Sequence, residues 1–227
     1  MIERKIETKL KAFFEANPQK ALLVTGARQI GKTYSIRRVG KAMFQSFVEI
    51  NLIENKQAAR MFEAAENSQE ILLRISALSD QPLIPGETLI FIDEVQEAKE
   101  LVTAIKFLVE DGRYQYVLSG SLLGVELQDL RSVPVGYMDI LDMFPLDFEE
   151  FSLANRVSNA VIDALRTCFE TKTPVDPIIH EKMSELFRLY LMVGGMPAAV
   201  SAYLETNDLK KVVQSQQEIL RLYKKDI

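Results

Sequence analysis

Residues 21–33 read ALLVTGARQIGKT, an apolar run followed by a loop that holds two glycines and a Lys-Thr pair. From Gly26 to Thr33 the loop fits the pattern GxxxxGK[ST] in full. The apolar run predicts a buried strand, and residues 32–44 carry helical periodicity. Because a strand, this loop and a helix follow one another, the match is credible. We therefore predict a phosphate-binding loop within an α/β protein, and the alternative is a Gly-rich turn that binds nothing.

The spacing of the loop follows from the chemistry of phosphate. Two glycines let backbone N–H groups converge on phosphate oxygens, and the following helix directs its positive end at the same anion. The Lys32 ammonium adds a full charge at the β- and γ-phosphates, and the Thr33 hydroxyl is a ligand for Mg²⁺. The nucleotide-binding residues predicted in this segment are Gly26, Arg28, Gln29, Gly31, Lys32, Thr33 and Tyr34. Whether Arg28 contacts phosphate or supports the loop from outside stays open.

A second segment, LIFIDE at residues 89–94, is an apolar strand that ends in two carboxylates. At the C-terminal edge of a parallel sheet, Asp93 would hold Mg²⁺ through water, so Thr33 and Asp93 are the predicted metal ligands. Glu94 would orient and deprotonate an attacking water, which indicates hydrolysis. A pair of solvated acids is the alternative. The string Asn55-Lys56-Gln57-Ala58 lacks the acid of the guanine-binding motif and comes too early in the chain, so ATP is favoured over GTP.

A third segment, YVLSGS at residues 116–121, places hydroxyls after the strand that we expect beside Asp93. Ser119, or failing that Ser121, is the candidate to contact the γ-phosphate or the attacking water, and an ordinary Ser-Gly turn is the alternative. Arg131 precedes the last predicted strand, where an arginine can serve a neighbouring subunit as a finger. A surface arginine is the simpler interpretation of Arg131.

The wider pattern predicts two domains. Five strands, at 21–25, 47–52, 89–93, 114–118 and 138–144, alternate with helices and indicate a five-stranded parallel sheet between helices. Residues 1–145 form this core, with an N-terminal helix in 1–18, and residues 146–227 carry only helical periodicity. The last helix, 209–223, has no stop signal, so we expect a chain truncated before a further domain; natural fraying is the alternative.

Composition limits the class of protein. The 227 residues are 48% hydrophobic and 26% charged, as in soluble globular proteins, and the net charge of -5 disfavours attachment to nucleic acid through overall charge. One Cys and one His provide neither a disulfide within the chain nor a structural zinc site. The sequence shows no signal peptide and no apolar run of membrane-spanning length. We therefore expect a cytoplasmic protein that does not associate with membranes.

Several segments together resemble a known family. In chain order these are GARQIGKT, LIFIDEVQ, LSGSLLG, FPLDFEEF, YLMVGGMP and the final YKKDI. They resemble bacterial and archaeal AAA-type ATPases in which an N-terminal AAA_14 domain is followed by a DUF4143 domain. The resemblance implies a P-loop core of the additional-strand, catalytic-glutamate type and a helical lid.

Carried over by position, the resemblance makes Lys32 with Thr33 the Walker A pair, Asp93 with Glu94 the Walker B pair, and Ser119 the sensor. It also implies that Pro197, in the segment GGMP, packs near the adenine. Two features depart from the family: Gly136-Tyr137 stands where many relatives have Gly-Arg, and the chain stops where they enter the C-terminal domain.

The function that these features predict is ATP binding with Mg²⁺-dependent hydrolysis, coupling the nucleotide state to movement of the lid and of a C-terminal domain. One alternative is a switch or scaffold that binds ATP or ADP with little turnover. Another is a DNA-associated ATPase, although nothing in the sequence supports binding to nucleic acid. The expected partner is an unknown protein or the protein's own C-terminal domain.

Overall fold

The computed structural model describes residues 2–62, 67–98, 100–121 and 136–224. The chain divides into two compact units, one of residues Ile6–Met143 and one that joins Met1–Lys5 to Phe144–Ile227. The larger unit holds every described strand, and the smaller unit is built from helices.

The larger unit alternates strands with helices, as the hydrophobic pattern predicts. Its strands are β1 Ala21–Gly26, β2 Ser46–Asn51, β3 Thr88–Asp93, β4 Gln115–Ser121 and β5 Met138–Asp142. Its helices are α1 Lys5–Ala16, α2 Lys32–Met43, α3 Lys56–Ala59, α4 Ser68–Leu78 and α5 Leu101–Asp111, with 3₁₀ turns at Arg60–Phe62 and Val95–Glu97. α4 begins after Asn67, whose side chain caps the helix by accepting from the Glu70 N–H at 3.0 Å.

The five strands form one parallel sheet in the order β2-β3-β4-β1-β5. β1 and β3 are buried along their whole length, as expected of parallel strands that are covered on both faces. β4 lies between them, so Ser119 pairs with Val24 on one side and with Asp93 on the other. The predicted fold class is confirmed, and so is the predicted pairing of the Ser119 and Asp93 strands.

Two strand ends were predicted wrongly. The fifth strand is predicted to reach residue 144, whereas β5 ends at Asp142. The sequence suggests that the fourth strand ends at Leu118, whereas β4 continues to Ser121 because Gly120 and Ser121 pair with Thr25 and Gly26. Ser119, Gly120 and Ser121 have low β propensity, so the sequence does not predict them as part of the strand. Their pairing with β1 outweighs this low propensity. Ser119 therefore lies inside a strand.

Apolar residues from the sheet and two helices make the main core of the larger unit. Its members include Ile90, Ile92 and Leu118 from the sheet, Ile71 and Ile75 from α4, and Ile105 and Leu108 from α5. Burying one such side chain contributes about 1.5–3 kcal/mol, so this cluster fixes the strands whose ends carry the polar residues described below.

The smaller unit contains the helices α6 Phe148–Ala154, α7 Asn159–Thr171, α8 Pro177–Val193, α9 Pro197–Thr206 and α10 Leu209–Tyr223. Asp147 and Glu150 form a reciprocal capping box at the start of α6, and Asp176 and Asp208 cap α8 and α10. Phe151, Leu186, Val193, Val200 and Val212 belong to its apolar core. Helices of the described part of the chain do not combine the length and the apolar character needed to cross a membrane.

Candidate nucleotide-binding site

The loop between β1 and α2 has an unusual backbone. Gly26 has φ 144°, Gln29 has φ 62° and Gly31, directly before α2, has φ 94°. A Cβ at Gly26 would stand 2.2 Å from the Met143 carbonyl oxygen, so only glycine allows the loop to pass this backbone. The sequence folds here into a tight turn that brings the start of α2 back over the end of β1.

Lys32 is folded into this turn. Its Nζ donates to the carbonyl oxygens of Gly26 at 2.9 Å and Ala27 at 2.8 Å. Burial lowers the pKa of Lys32, the carboxylates of Glu94 and Asp93 act in the opposite direction, and the Arg28 guanidinium adds to the lowering. These two carbonyls thus hold the Lys32 ammonium group within the loop, in a position to contact an anion that the loop binds.

Asp93 joins three segments of the unit. Its Oδ2 accepts from Thr33 Oγ1 at 2.9 Å, and its Oδ1 accepts from the Glu94 N–H at 3.0 Å and from the Ser119 hydroxyl. Asp93 is 3% exposed. Hydroxyl and carboxylate oxygens are the ligands that Mg²⁺ takes beside nucleotide phosphates, so the neighbouring oxygens of Thr33 and Asp93 fit this ion.

Ser119 is fully buried and directs its hydroxyl at Asp93. Sequence reasoning identified Ser119 as a contact for the γ-phosphate or the attacking water but missed the bond to Asp93. No local sequence signal marks this bond, because it depends on the register that sets Ser119 directly opposite Asp93 on the adjacent strand. Its role at the phosphate stays a prediction.

Glu94 follows β3 in the left-handed conformation, with φ 59° and ψ 50°. Its Oε2 accepts from the side-chain amide of Gln96 at 2.7 Å. The sequence did not identify Gln96 as a site residue. The one indication of a role is its position two residues after Glu94, in the segment LIFIDEVQ. Glu94 is half-buried, so a carboxylate with one oxygen already hydrogen-bonded borders the site.

Two further contacts that the sequence did not reveal hold the entry to the loop. The Thr25 hydroxyl donates to Asp142 Oδ1, and the Met143 N–H donates to the Thr25 carbonyl at 2.8 Å. Both join the residue before Gly26 to the end of β5. The loop is therefore fixed at its first residue by the neighbouring strand.

The remaining candidates of the loop differ in exposure. Arg28 is half-buried, whereas Gln29 and Tyr34 are exposed. The structure brings these three residues to the same loop and first helical turn, where their contacts with a nucleotide stay predictions. Arg131 and the side chain of Ser121 lie outside the described residues.

The segment Gly194–Pro197 belongs to the smaller unit, where its glycines have two different structural roles. Gly194 has φ 74° and open space around it, whereas a Cβ at Gly195 would stand 2.2 Å from the Leu146 carbonyl oxygen. The Leu146 N–H donates to the Gly195 carbonyl at 2.7 Å. α9 begins at Pro197, and the contact of Pro197 with adenine stays a prediction.

Comparison with known proteins identifies a family and several similar folds. The family AAA_14, described as an AAA domain, matches residues 18–152. The Walker-type ATPase PABY2304 of Pyrococcus abyssi is 15% identical, with a TM-score of 0.55 over 97% of this chain and 72% of that one. PCH-2 of C. elegans is 13% identical, with a TM-score of 0.53 over 96% of this chain and 70% of that one. AMPPCP-bound DnaA from Aquifex aeolicus is 13% identical, with a TM-score of 0.51 over 90% of this chain and 62% of that one.

At these identities the solved structures show a shared fold. No curated protein matches the sequence. The DUF4143 domain that the resemblance implies stays a prediction.

Proposed function

Because this chain belongs to the AAA_14 family of AAA domains, we propose that it binds ATP together with Mg²⁺ and hydrolyses the γ-phosphate. The observation that carries the proposal is the bond between Thr33 and Asp93, which lie 60 positions apart, beside the ammonium of Lys32. A hydroxyl, a carboxylate and an ammonium at the mouth of a glycine loop match the charge pattern of a metal-bound triphosphate.

The binding step uses the loop first. Its backbone N–H groups and the start of α2 receive the β-phosphate, and Lys32 exchanges its bonds to two loop carbonyls for bonds to phosphate oxygens. Thr33 and Asp93 would hold Mg²⁺, which supplies positive charge against the charge that develops on the phosphate oxygens. Ser119 keeps the Asp93 carboxylate oriented from the β4 side.

Glu94 is the proposed base. A water oxygen attacks the γ-phosphorus while the Glu94 carboxylate takes one of its protons, and the bond to the bridging oxygen breaks to give ADP and phosphate. The Gln96 amide occupies one carboxylate oxygen and leaves the other for the water. Because Glu94 stands next to Asp93, base and metal ligands act on the same phosphate.

We further propose that the nucleotide state is transmitted beyond the larger unit. The support is the hydrogen bond from the Met143 N–H to the Thr25 carbonyl, because Thr25 directly precedes the loop and Met143 directly precedes the smaller unit. A change in the loop on phosphate binding would act on the backbone of this connection. A C-terminal domain beyond residue 227, implied by the resemblance, would be the receiver.

The test compares steady-state hydrolysis and nucleotide affinity in wild type, Glu94→Gln and a matched control, Glu97→Gln. Glu97 is an exposed acid in the same 3₁₀ turn. We expect Glu94→Gln to bind ATP with unchanged affinity and to lose at least about 100-fold in kcat, since the amide cannot accept a proton. Glu97→Gln should behave as wild type. Turnover of Glu94→Gln at the wild-type rate would exclude Glu94 as the base.

The same assay separates the alternatives. Tight ADP retention with no turnover in the wild type would favour a nucleotide switch. Turnover that rises when duplex or single-stranded DNA is added would favour a DNA-associated ATPase. Basal turnover that DNA leaves unchanged is the result we expect.

A further inference from the structure

We propose that Gln96 is a positioning residue that orients the Glu94 carboxylate toward the attacking water, an inference that rests on the hydrolysis proposed above. Its side-chain Nε2 donates to Glu94 Oε2 at 2.7 Å. A hydrogen bond to an ionised acceptor is about twice as strong as one between neutral groups. The bond is therefore strong enough to fix the rotation of a side chain that is otherwise flexible.

The backbone between the two residues is shaped for this contact. Glu94 adopts the left-handed conformation, which costs a non-glycine residue roughly 1–2 kcal/mol, and the 3₁₀ turn Val95–Glu97 follows. Two backbone N–H groups hold the turn: that of Glu94 donates to the Asp93 side-chain Oδ1 at 3.0 Å, and that of Glu97 donates to the Glu94 carbonyl at 3.1 Å. Val95, between the two side chains, is buried. The turn thus bends the Gln96 side chain back toward Glu94.

The oxygen end of the Gln96 amide lies close to the neighbouring strand. A Cβ at Gly120 of β4 would stand 3.3 Å from Gln96 Oε1 and 3.2 Å from Val95 Cγ2. Glycine at this position therefore leaves the space that the amide occupies. With its oxygen end against β4, the amide presents its nitrogen end to Glu94.

The consequence is chemical as well as geometric. A carboxylate has two oxygens, and a general base must present one of them within hydrogen-bond distance of the water. The Gln96 amide holds Oε2, so Oε1 is the atom available for the proton. In a variant without the amide, we expect the carboxylate to sample several orientations, of which only some are productive.

The experiment removes the donor while keeping the shape. Gln96→Met has similar length and volume but no N–H, and Gln96→Ala is a second variant in case the thioether packs badly. We expect kcat to fall about tenfold or more, while KM for ATP and the Kd for ADP stay within about twofold, because an interaction that acts on the transition state alone lowers kcat. Gln57→Met, on an exposed glutamine of α3, is the control and should match wild type.

A cycle with Glu94→Gln gives the second readout. If Gln96 acts through Glu94, adding Gln96→Met to Glu94→Gln leaves the residual rate unchanged, whereas an independent role lowers it further and overturns the inference. Parallel loss of kcat and ADP affinity would mean that Gln96 merely supports the fold, which also overturns it. Wild-type turnover in Gln96→Met would reject the positioning role alone. Absence of turnover in wild-type protein that binds ATP would reject the proposed hydrolysis and this role together.

Discussion

The Thr33 hydroxyl donates to Asp93 Oδ2 at 2.9 Å. Thr33 lies in the helix that follows β1 and Asp93 ends β3, and β4 lies between these two strands in the sheet. The bond passes the end of the intervening strand, and Ser119 of that strand donates to the other oxygen of the same carboxylate. One buried acid therefore ties together the first turn of α2 and two adjacent strands. A ligand that displaces the hydroxyl of Thr33 or of Ser119 from Asp93 therefore also affects the other hydroxyl, because both bind the same carboxylate.

Replacing Thr33 with Val should remove the Mg²⁺ dependence of ATP binding. The methyl group keeps the volume, but a hydroxyl ligand and a hydrogen bond to Asp93 are lost. Titration of a fluorescent ATP analogue with and without Mg²⁺ measures the effect. The control is Ser35→Ala, because Ser35 is buried on the same helix and its hydroxyl has no hydrogen-bond partner within the described residues. An undiminished response to Mg²⁺ in Thr33→Val would rule out a metal-ligating hydroxyl.

Replacing Lys32 with Ala should weaken ATP binding at least about 100-fold, because it removes the ammonium group that is proposed to contact the β- and γ-phosphates. The fold should persist because the lost bonds are to two carbonyls at a partly open loop. Lys41→Ala, on an exposed lysine in the last turn of the same helix, is the matched control. Unchanged ATP affinity with a native circular dichroism spectrum would show that the loop has only a structural role.

Two neighbouring glycines should respond differently to alanine. Gly195→Ala places a methyl group where the Leu146 carbonyl oxygen stands, and we expect it to destabilise the smaller unit by about 3 kcal/mol or more. Gly194→Ala meets no neighbour, but φ 74° with ψ -174° is a conformation that is essentially restricted to glycine, so we expect a loss of about 1–3 kcal/mol from backbone strain alone. Urea unfolding followed by helical circular dichroism compares the pair. Equal losses would mean that the Leu146 segment moves away at little cost.

The buried ion pair of the smaller unit should contribute far more than the exposed pairs next to it. Arg4 Nε lies 3.1 Å from Glu150 Oε1 with both side chains 6% exposed, and a second Arg4 nitrogen donates to the Phe144 carbonyl at 2.6 Å. Arg4→Met leaves a buried carboxylate without its cation, so we expect a loss of about 3 kcal/mol.

The matched control for the ion pair is Lys5→Met, which removes ion pairs to Asp147 and Glu149. Lys5 is roughly half exposed, and we expect a loss of less than about 1 kcal/mol. The Lys5 backbone N–H, which donates to Glu150 at 2.6 Å, is kept in this variant. Thermal unfolding that shifts equally in the two variants would contradict a special role for the buried pair.

Most helices and strands, and the chemistry of each local motif, can be predicted from short stretches of the sequence. The glycine loop, Lys32 and Thr33 are contiguous, and the acids at 93 and 94 end a strand whose apolar run is visible without any partner. Helix starts such as Pro197 are equally local, because capping and a fixed φ depend on neighbouring residues. These features can be predicted from the sequence because each depends only on residues that are close together in the chain.

Contacts between residues that are distant in the chain depend on how the sheet is assembled. The position of β4 between β1 and β3 sets Ser119 opposite Asp93 and extends the strand to Ser121. The same placement puts Gly120 against Gln96, which the sequence did not mark as functional. Strand order and register depend on how whole apolar faces pack, and this information is distributed over the chain. Side-chain hydrogen bonds between strands follow that register, so they can be assigned only once the sheet is assembled.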